Sequence, residues 1–317
     1  MLENIKIDSL FGYYNYSLDL NPENNSYKFI TGPNGYGKST ILSLLNALYS
    51  NHIKPVAAIP FKSLELSYED GSQVLIEQER KIHQDEGSDE EAKSDVELKV
   101  SYKFRNSNDI RRFLTVQYNS DDIVNGNETD EDEDEVANLG LFLFFNSHPV
   151  YYIRDGRINT PEGVPAVKHC AERMKKLLEN AEHGQVNDFD KRVSLFEDII
   201  KTAKFTHKSM EVGPRFGFRF RSDDDDRTIL KLEGLSSGEQ HIIIQTFELL
   251  FEAPDDSLVL IDEPEISFHM AWQMEYLRNL KRISELRHLQ FIVATHSPQI
   301  FASQWNLAVD LYDLSRK

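Results

Sequence analysis

Apolar and polar residues alternate along Leu2–Asp8 and Tyr13–Leu20, a period of two that predicts β-strands turning at Phe11-Gly12. A short apolar run, Tyr27–Thr31 (YKFIT), reads as a strand entering a glycine-rich loop, and Thr40–Leu48 (TILSLLNAL) as the helix beyond it. Phe61–Tyr68 and Gln73–Ile82 alternate on either side of Glu69-Asp70-Gly71, whose Asp-Gly pair signals a hairpin turn. A polar loop, Gln84–Ser94, separates this hairpin from another alternating segment, Val96–Phe104. The first third is therefore expected to form an antiparallel β layer beside a core built on the Tyr27 strand.

Further along, Val150–Ile153 reads as a buried strand, and Ala166–Glu182 and Phe189–Lys204 show helical spacing interrupted at Gly184. This pair is expected to be a short helical arm inserted at about residues 160–212 of a single domain spanning 1–317. Arg215–Arg221 sets Phe216, Phe218 and Phe220 between arginines. That pattern fits a half-buried strand, with Asp223–Asp226 as its turn and Thr228–Leu232 returning; stacking on nucleic acid is the rival reading. Ser257–Ile261 (SLVLI) reads as a buried strand and Leu289–Ala294 (LQFIVA) as another apolar strand, and His241–Phe251 reads as an apolar helix. The fold class is α/β.

Composition narrows the partners. The 317 residues are 40% hydrophobic and 28% charged, with a net charge of −18, which disfavours a protein that coats nucleic acid nonspecifically. Arg154–Arg221 departs from this balance, with 14 Lys/Arg against 10 Asp/Glu, so a contact with DNA, RNA or an acidic partner stays open there beside ordinary solvated helix faces. Glu128–Glu135 holds seven acids in eight positions without the central glycine of a calcium loop, and is expected to be a solvated loop. Cys170 is the single cysteine, which excludes a disulfide framework. MLENIKIDSL has no secretory pattern and the longest apolar run, Leu139–Phe145, is too short for a bilayer, so a cytoplasmic protein without a membrane contact is expected.

Four motifs carry chemistry. Gly32-Pro33-Asn34-Gly35-Tyr36-Gly37-Lys38-Ser39-Thr40 fits G-x-x-x-x-G-K-[ST], the loop whose backbone N–H groups cradle phosphates. Lys38 would reach the β- and γ-phosphates and the Ser39 hydroxyl would ligate Mg²⁺. The apolar strand 257–261 delivers Asp262 and Glu263: the first is suited to hold Mg²⁺, the second to polarise an attacking water as general base. Two acids opening a loop before Pro264 would be the plainer reading of that segment alone. Leu235-Ser236-Ser237-Gly238-Glu239-Gln240 opens a helix with small residues, where Ser237 and Gln240 would make a capping box and exposed N–H groups could meet an anion. His296, in Thr295-His296-Ser297-Pro298, follows a buried strand, a position that is usually structural.

LSSGEQ resembles the signature of ABC-type ATPases, and the order of loop, signature, Asp-Glu strand and His resembles that superfamily. Within it, IKIDSLFGYYNYSLDL, TGPNGYGKST and DEPEISFHMAWQ look most like the RecF/SMC/OLD-like branch. The resemblance implies an ABC-ATPase head with an antiparallel β subdomain and a short helical insertion. It also implies ATP and Mg²⁺ as cofactors, Ser236 to Gln240 contacting the γ-phosphate of a second subunit, and His296 as the switch residue. The protein would then be an ATPase forming ATP-dependent head-to-tail homodimers. Compact members resemble sensor subunits of bacterial anti-phage systems paired with a separate nuclease or toxin effector; a DNA-repair or maintenance ATPase touching DNA itself is the alternative. YYIRDGR resembles in part the I-P-x-x-R stretch of these ATPases, making Arg157 a further interface or site residue, and Gln73 and Gln78 are weak candidates for a Q-loop.

Overall fold

The computed structural model describes residues 1–20, 26–50, 52–83, 93–103, 111–118, 144–145, 148–154, 165–181 and 188–316. The elements of its first half are β1 (Leu2–Leu10), β2 (Tyr14–Asp19), β3 (Tyr27–Thr31), α1 (Lys38–Tyr49), α2 (Ile53–Ala58), β4 (Ser63–Tyr68), β5 (Gln73–His83), β6 (Lys93–Lys103) and β7 (Arg111–Tyr118). After these come β8 (Val150–Ile153), α3 (Ala166–Ala181), α4 (Phe189–Thr202), β9 (Lys208–Gly213), β10 (Gly217–Ser222) and β11 (Ile229–Leu230). The last third supplies α5 (Ser237–Phe247), β12 (Leu258–Asp262), α6 (Met270–Arg287), β13 (Gln290–Ala294), β14 (Ala308–Asp310) and α7 (Leu311–Leu314).

The described strands form three sheets: a small antiparallel one, β11-β10-β9, and two larger ones that share a core. One of the larger sheets is antiparallel throughout, in the order β2-β1-β4-β5-β6-β7, and the expected hairpin forms its centre with Ser67 opposite Gln73. The other is parallel throughout, in the order β14-β3-β13-β12-β8. Side chains of a strand alternate between faces, and the parallel strands divide accordingly. Ile30, Leu258, Leu260, Ile292 and Ala294 join a core shared with α1 and the antiparallel sheet. Phe29, Val259, Ile261, Phe291 and Val293 join a second core with α3 to α6. This is why 258–261 and 291–294 are apolar at every position.

The helices over 166–181 and 189–202, expected as a short arm, each pack one face into the second core. Val167, Cys170, Ala171 and Met174 of α3 and Phe189, Leu195, Phe196, Ile199 and Ile200 of α4 are buried in the second core. The Trp272 indole of α6 donates to the Ala203 carbonyl at 2.7 Å, which ties α4 down. β10 is a half-buried strand, but it begins at Gly217, so Phe216 belongs to the turn before it. Phe218 and Phe220 are buried, and Arg219 and Arg221 both grip Glu211 at 2.7 and 2.8 Å. Those aromatics are therefore unavailable to stack on nucleic acid. The edge strands β7 and β14 lie outside the sequence reading, and β14 has only three residues. Among the described residues no helix is long and apolar enough to cross a membrane.

One amide sutures the two larger sheets. The buried Gln290 side chain accepts from the Leu2 N–H at 3.1 Å and donates to the Leu2 carbonyl at 2.7 Å, standing in for a strand partner at the start of β1. Replacing it with an apolar isostere leaves both backbone groups buried and unpaired. Gln290→Leu is expected to lower stability in chemical denaturation by about 2 kcal/mol, with little change in the dependence on denaturant.

Candidate nucleotide site

In a parallel sheet the loops at the carboxyl ends of the strands lie together, and ligands bind there. Here Thr31 pairs with Asp310, Ile30 with Ala294, and Ala294 with Asp262. The register therefore brings the glycine-rich loop after β3, Asp262-Glu263 at the end of β12 and Thr295-His296 after β13 to one edge.

The loop runs straight into α1. Pro33, Asn34 and Gly35 are exposed, and Thr40 is half-buried in the first turn. The Tyr36 carbonyl is pinned by the Tyr16 hydroxyl at 2.8 Å, and its ring lies among Tyr14 and Tyr312. Gly37 is the residue before the helix, with φ 91°, and a Cβ there would meet a Leu10 methyl at 2.8 Å. Only glycine fits that approach. Because Gly37 has no side chain, nothing caps the helix, and its first-turn N–H groups are left for an anion.

Lys38 is 6% exposed. Its Nζ donates to the Gly32 carbonyl at 3.0 Å, meets His296 Nε2 at 2.7 Å and lies 4.0 Å from Glu263 Oε1. Burial lowers its pKa, while the carboxylates around it pull the other way. His296 is also lowered, by burial first and then by the Lys38 charge, so its neutral ring can accept a hydrogen bond from the ammonium. Glu263 Oε1 is 3.2 Å from the same ring nitrogen. Burial and the neighbouring Glu265 carboxylate raise the Glu263 pKa to about 8. The backbone of Glu263 turns left-handed, with φ 46°, and this bend parts it from Asp262.

Asp262 accepts instead from the Ser39 hydroxyl at 3.0 Å. No group of three or more His, Cys, Asp or Glu side chains among the described residues could hold a metal. Ser39 and Asp262 are hard oxygen donors side by side, the pair that suits Mg²⁺ when phosphates and water complete its shell. The residues fit the ion.

Glu265 escaped assignment in the sequence, although it belongs to the DEPE run. Its Oε1 accepts the N–H groups of His296 at 2.7 Å and Ser297 at 3.1 Å, so it holds the histidine turn in place. Gln273 accepts from the Ser297 hydroxyl at 2.6 Å and braces the same turn from α6.

The signature helix is built differently. Its capping box pairs Ser236 with Glu239, one residue earlier than the Ser237/Gln240 pairing expected from sequence. Glu239 is buried and bonded to Lys208 at 2.7 Å; burial opposes its charge, but Lys208 and Ser236 outweigh burial and hold its carboxyl below the usual range. The Gln240 side chain turns back to the Leu235 carbonyl at 2.8 Å. Both side chains thus serve the fold. Ser236 and Ser237 are exposed and Gly238 is buried, and the N–H groups of Ser237 and Gly238 have no partner within the helix. Gly238 permits a close approach: a Cβ would lie 2.3 Å from the Ser267 carbonyl in the turn after β12. Among the described residues, no hydrogen bond or ion pair joins 236–240 to the glycine-rich loop.

Other candidates separate from this edge. The Gln78 amide is buried against the carbonyls of Ala57 and Ile59 and the Phe61 N–H, and Gln73 sits in the antiparallel hairpin. Arg157 and the acidic stretch 128–135 lie outside the described residues. Within 154–221, Arg173, Lys175, Lys191, Arg192, Lys208, Arg219 and Arg221 are engaged with carboxylates of the same chain, which mutes the basic character of that region.

A capless helix start behind a glycine-rich loop, with lysine, serine and two strand-end carboxyls gathered around it, is the arrangement of a phosphate-loop NTPase. The chain belongs to the family described as "AAA domain, putative AbiEii toxin, Type IV TA system", whose model matches residues 29–302. It is similar to the Smc head domain from Pyrococcus furiosus with an extended coiled coil, bound to the C-terminal domain of ScpA, at 13% identity and a TM-score of 0.48, over 95% of this chain and 91% of that one. The SMC head domain from Thermotoga maritima is similar at 15% identity and 0.43, over 97% and 92% of the two chains. A dimeric bacterial ABC transporter cassette is similar at 13% and 0.41, over 97% and 94%.

The raised Glu263 pKa has a measurable sign. Below its ordinary value of 4.5 the folded and unfolded chains both keep the proton; as pH rises toward about 8 only the unfolded chain releases it, and the folded state loses stability. Glu263→Gln removes that loss. Its melting temperature relative to wild type, in EDTA and without nucleotide, is expected to climb by about 2–4 °C between pH 5 and pH 8. A difference that stays flat across this interval would mean that the carboxyl ionises normally.

Proposed function

We propose that the protein is an ATP-hydrolysing, ABC-type switch that closes into head-to-tail dimers around ATP and controls a separately encoded effector in bacterial anti-phage defence. The observation that carries the dimer is the division of labour between two helix starts. The start of α1 is capless and gathered with Lys38, Asp262, Glu263 and His296, whereas Ser237 and Gly238 of α5 offer N–H groups with no phosphate loop of their own chain bonded to them. A second copy of the chain would bring the two halves together. The family description, which names a toxin and a type IV toxin–antitoxin system, supports the defence setting and the effector.

In this reading the N–H groups of α1 and the Lys38 ammonium bind the phosphates, with Ser39 and Asp262 holding Mg²⁺. The ion would neutralise phosphate charge in the transition state. Lys38 leaves His296 and Glu263 when it turns to the phosphates. His296 then faces the γ-phosphate, and Glu263, once ionised, accepts the proton of the attacking water. Glu265 holds the histidine turn throughout.

Glu263→Gln is expected to bind ATP, to hydrolyse it on the order of 100-fold more slowly, and to accumulate dimers with Mg-ATP in light scattering. A monomer under all nucleotide conditions would sink the dimer. Salt-sensitive DNA binding that disappears when Lys175 and Lys176 are reversed in charge would instead favour a DNA-maintenance ATPase.

A further inference from the structure

Three buried polar atoms among the described residues lack a hydrogen bond on segments that pack together: the His241 ring of α5 meets the Ile266 carbonyl at 3.0 Å, and the Tyr276 ring of α6 lies 6.1 Å from Phe268 of the same turn. The three atoms are the amide nitrogen of Gln245 on α5, the hydroxyl of Tyr276 on α6 and Oε2 of Glu265 in that turn after β12. Gln245 is 3% exposed and Tyr276 6%. Burial raises the Tyr276 hydroxyl well above its ordinary pKa, the Glu265 charge adds to the rise, and the Gln245 amide works against it, so both side chains act on the hydroxyl.

Buried polar groups in folded proteins are nearly always paired. The chemistry of these three is complementary, because an amide N–H only donates, a phenol hydroxyl accepts and donates, and a carboxylate oxygen only accepts. We propose that Gln245, Tyr276 and Glu265 form a single hydrogen-bond chain from the signature helix to the turn beneath His296, with Tyr276 as a positioning residue acting through Glu265. Gln245 donates to the Tyr276 hydroxyl, which donates to Glu265 Oε2.

The other oxygen of Glu265 is already committed to the N–H groups of His296 and Ser297. Fixing Oε2 therefore fixes the carboxylate plane, and with it the His296 ring that meets Lys38 at 2.7 Å and Glu263 at 3.2 Å. Gln245 sits on the helix that begins at Ser237, so a shift of that helix is felt at the histidine turn. The kinetic consequence rests on the ATPase reading; the chain of hydrogen bonds does not.

Tyr276→Phe removes the hydroxyl and keeps the ring against Phe268. Gln245→Met breaks the chain at its other end, and Glu263→Gln serves as the control for turnover. Each single variant, melted without nucleotide, is expected to fall by about 2–4 °C, and the double variant by little more than either. The kcat for ATP is expected to drop roughly 3- to 10-fold with KM within about twofold. A Tyr276→Phe protein as stable as wild type and with unchanged kcat overturns the proposal, because an orphan hydroxyl is lost without harm. Lower stability with kcat unchanged overturns the positioning role. A wild type lacking turnover that Glu263→Gln abolishes sinks the ATPase reading, while melting still decides the chain.

Discussion

An ammonium held out of water is the constraint around which this molecule is arranged. Lys38 is nearly enclosed, and burial lowers its pKa. It keeps a donor's role because three strand ends supply acceptors: the Gly32 carbonyl after β3, His296 after β13 and Glu263 after β12. Each partner is adjusted in turn, with His296 kept neutral by burial and by the lysine, and Glu263 pushed toward its protonated form by burial and Glu265. The set is balanced without a ligand, and an incoming phosphate competes with His296 and Glu263 for one cation.

Two helix starts show opposite ways of treating free N–H groups. α1 begins after a glycine that cannot cap it, and the groups stay available. α5 begins with a capping box in which Ser236 and Glu239 satisfy each other, and Lys208 locks Glu239 from β9. The box consumes the Glu239 N–H and leaves those of Ser237 and Gly238. The contact of Gly238 with Ser267 then joins this helix start to the turn carrying the carboxylates.

Much of the architecture was legible because period-two alternation and unbroken apolar runs mark different kinds of strand. β1, β2, β4 and β5 alternate since one face meets the core, whereas 258–261 of β12 and 291–294 of β13 are apolar at consecutive positions since they feed two cores. The edge strand β14, with three residues, is too short to carry such a mark; β7 does alternate over Leu114–Tyr118, a signal the sequence reading passed over. The helical pair over 166–202 has an amphipathic spacing that identifies a buried stripe but not the surface that buries it. The arginine–phenylalanine alternation at 215–221 offered two readings, and Glu211 across the ladder decided between them.

By itself the amino-acid sequence determined the chemistry on offer: a glycine-rich loop ending in Lys38 and Ser39, two acids after a buried strand, a serine-glycine helix start and a histidine. These are local patterns, written in neighbouring residues. Only the tertiary structure decided which of them meet. Parallel register set Asp262, Glu263 and His296 beside the loop, because strand ends in one sheet share an edge. It also gave Glu265 its role, since its partners are backbone groups of a distant turn that no local pattern records. And it turned Glu239 and Gln240 inward, because their nearest acceptors and donors lay within the fold.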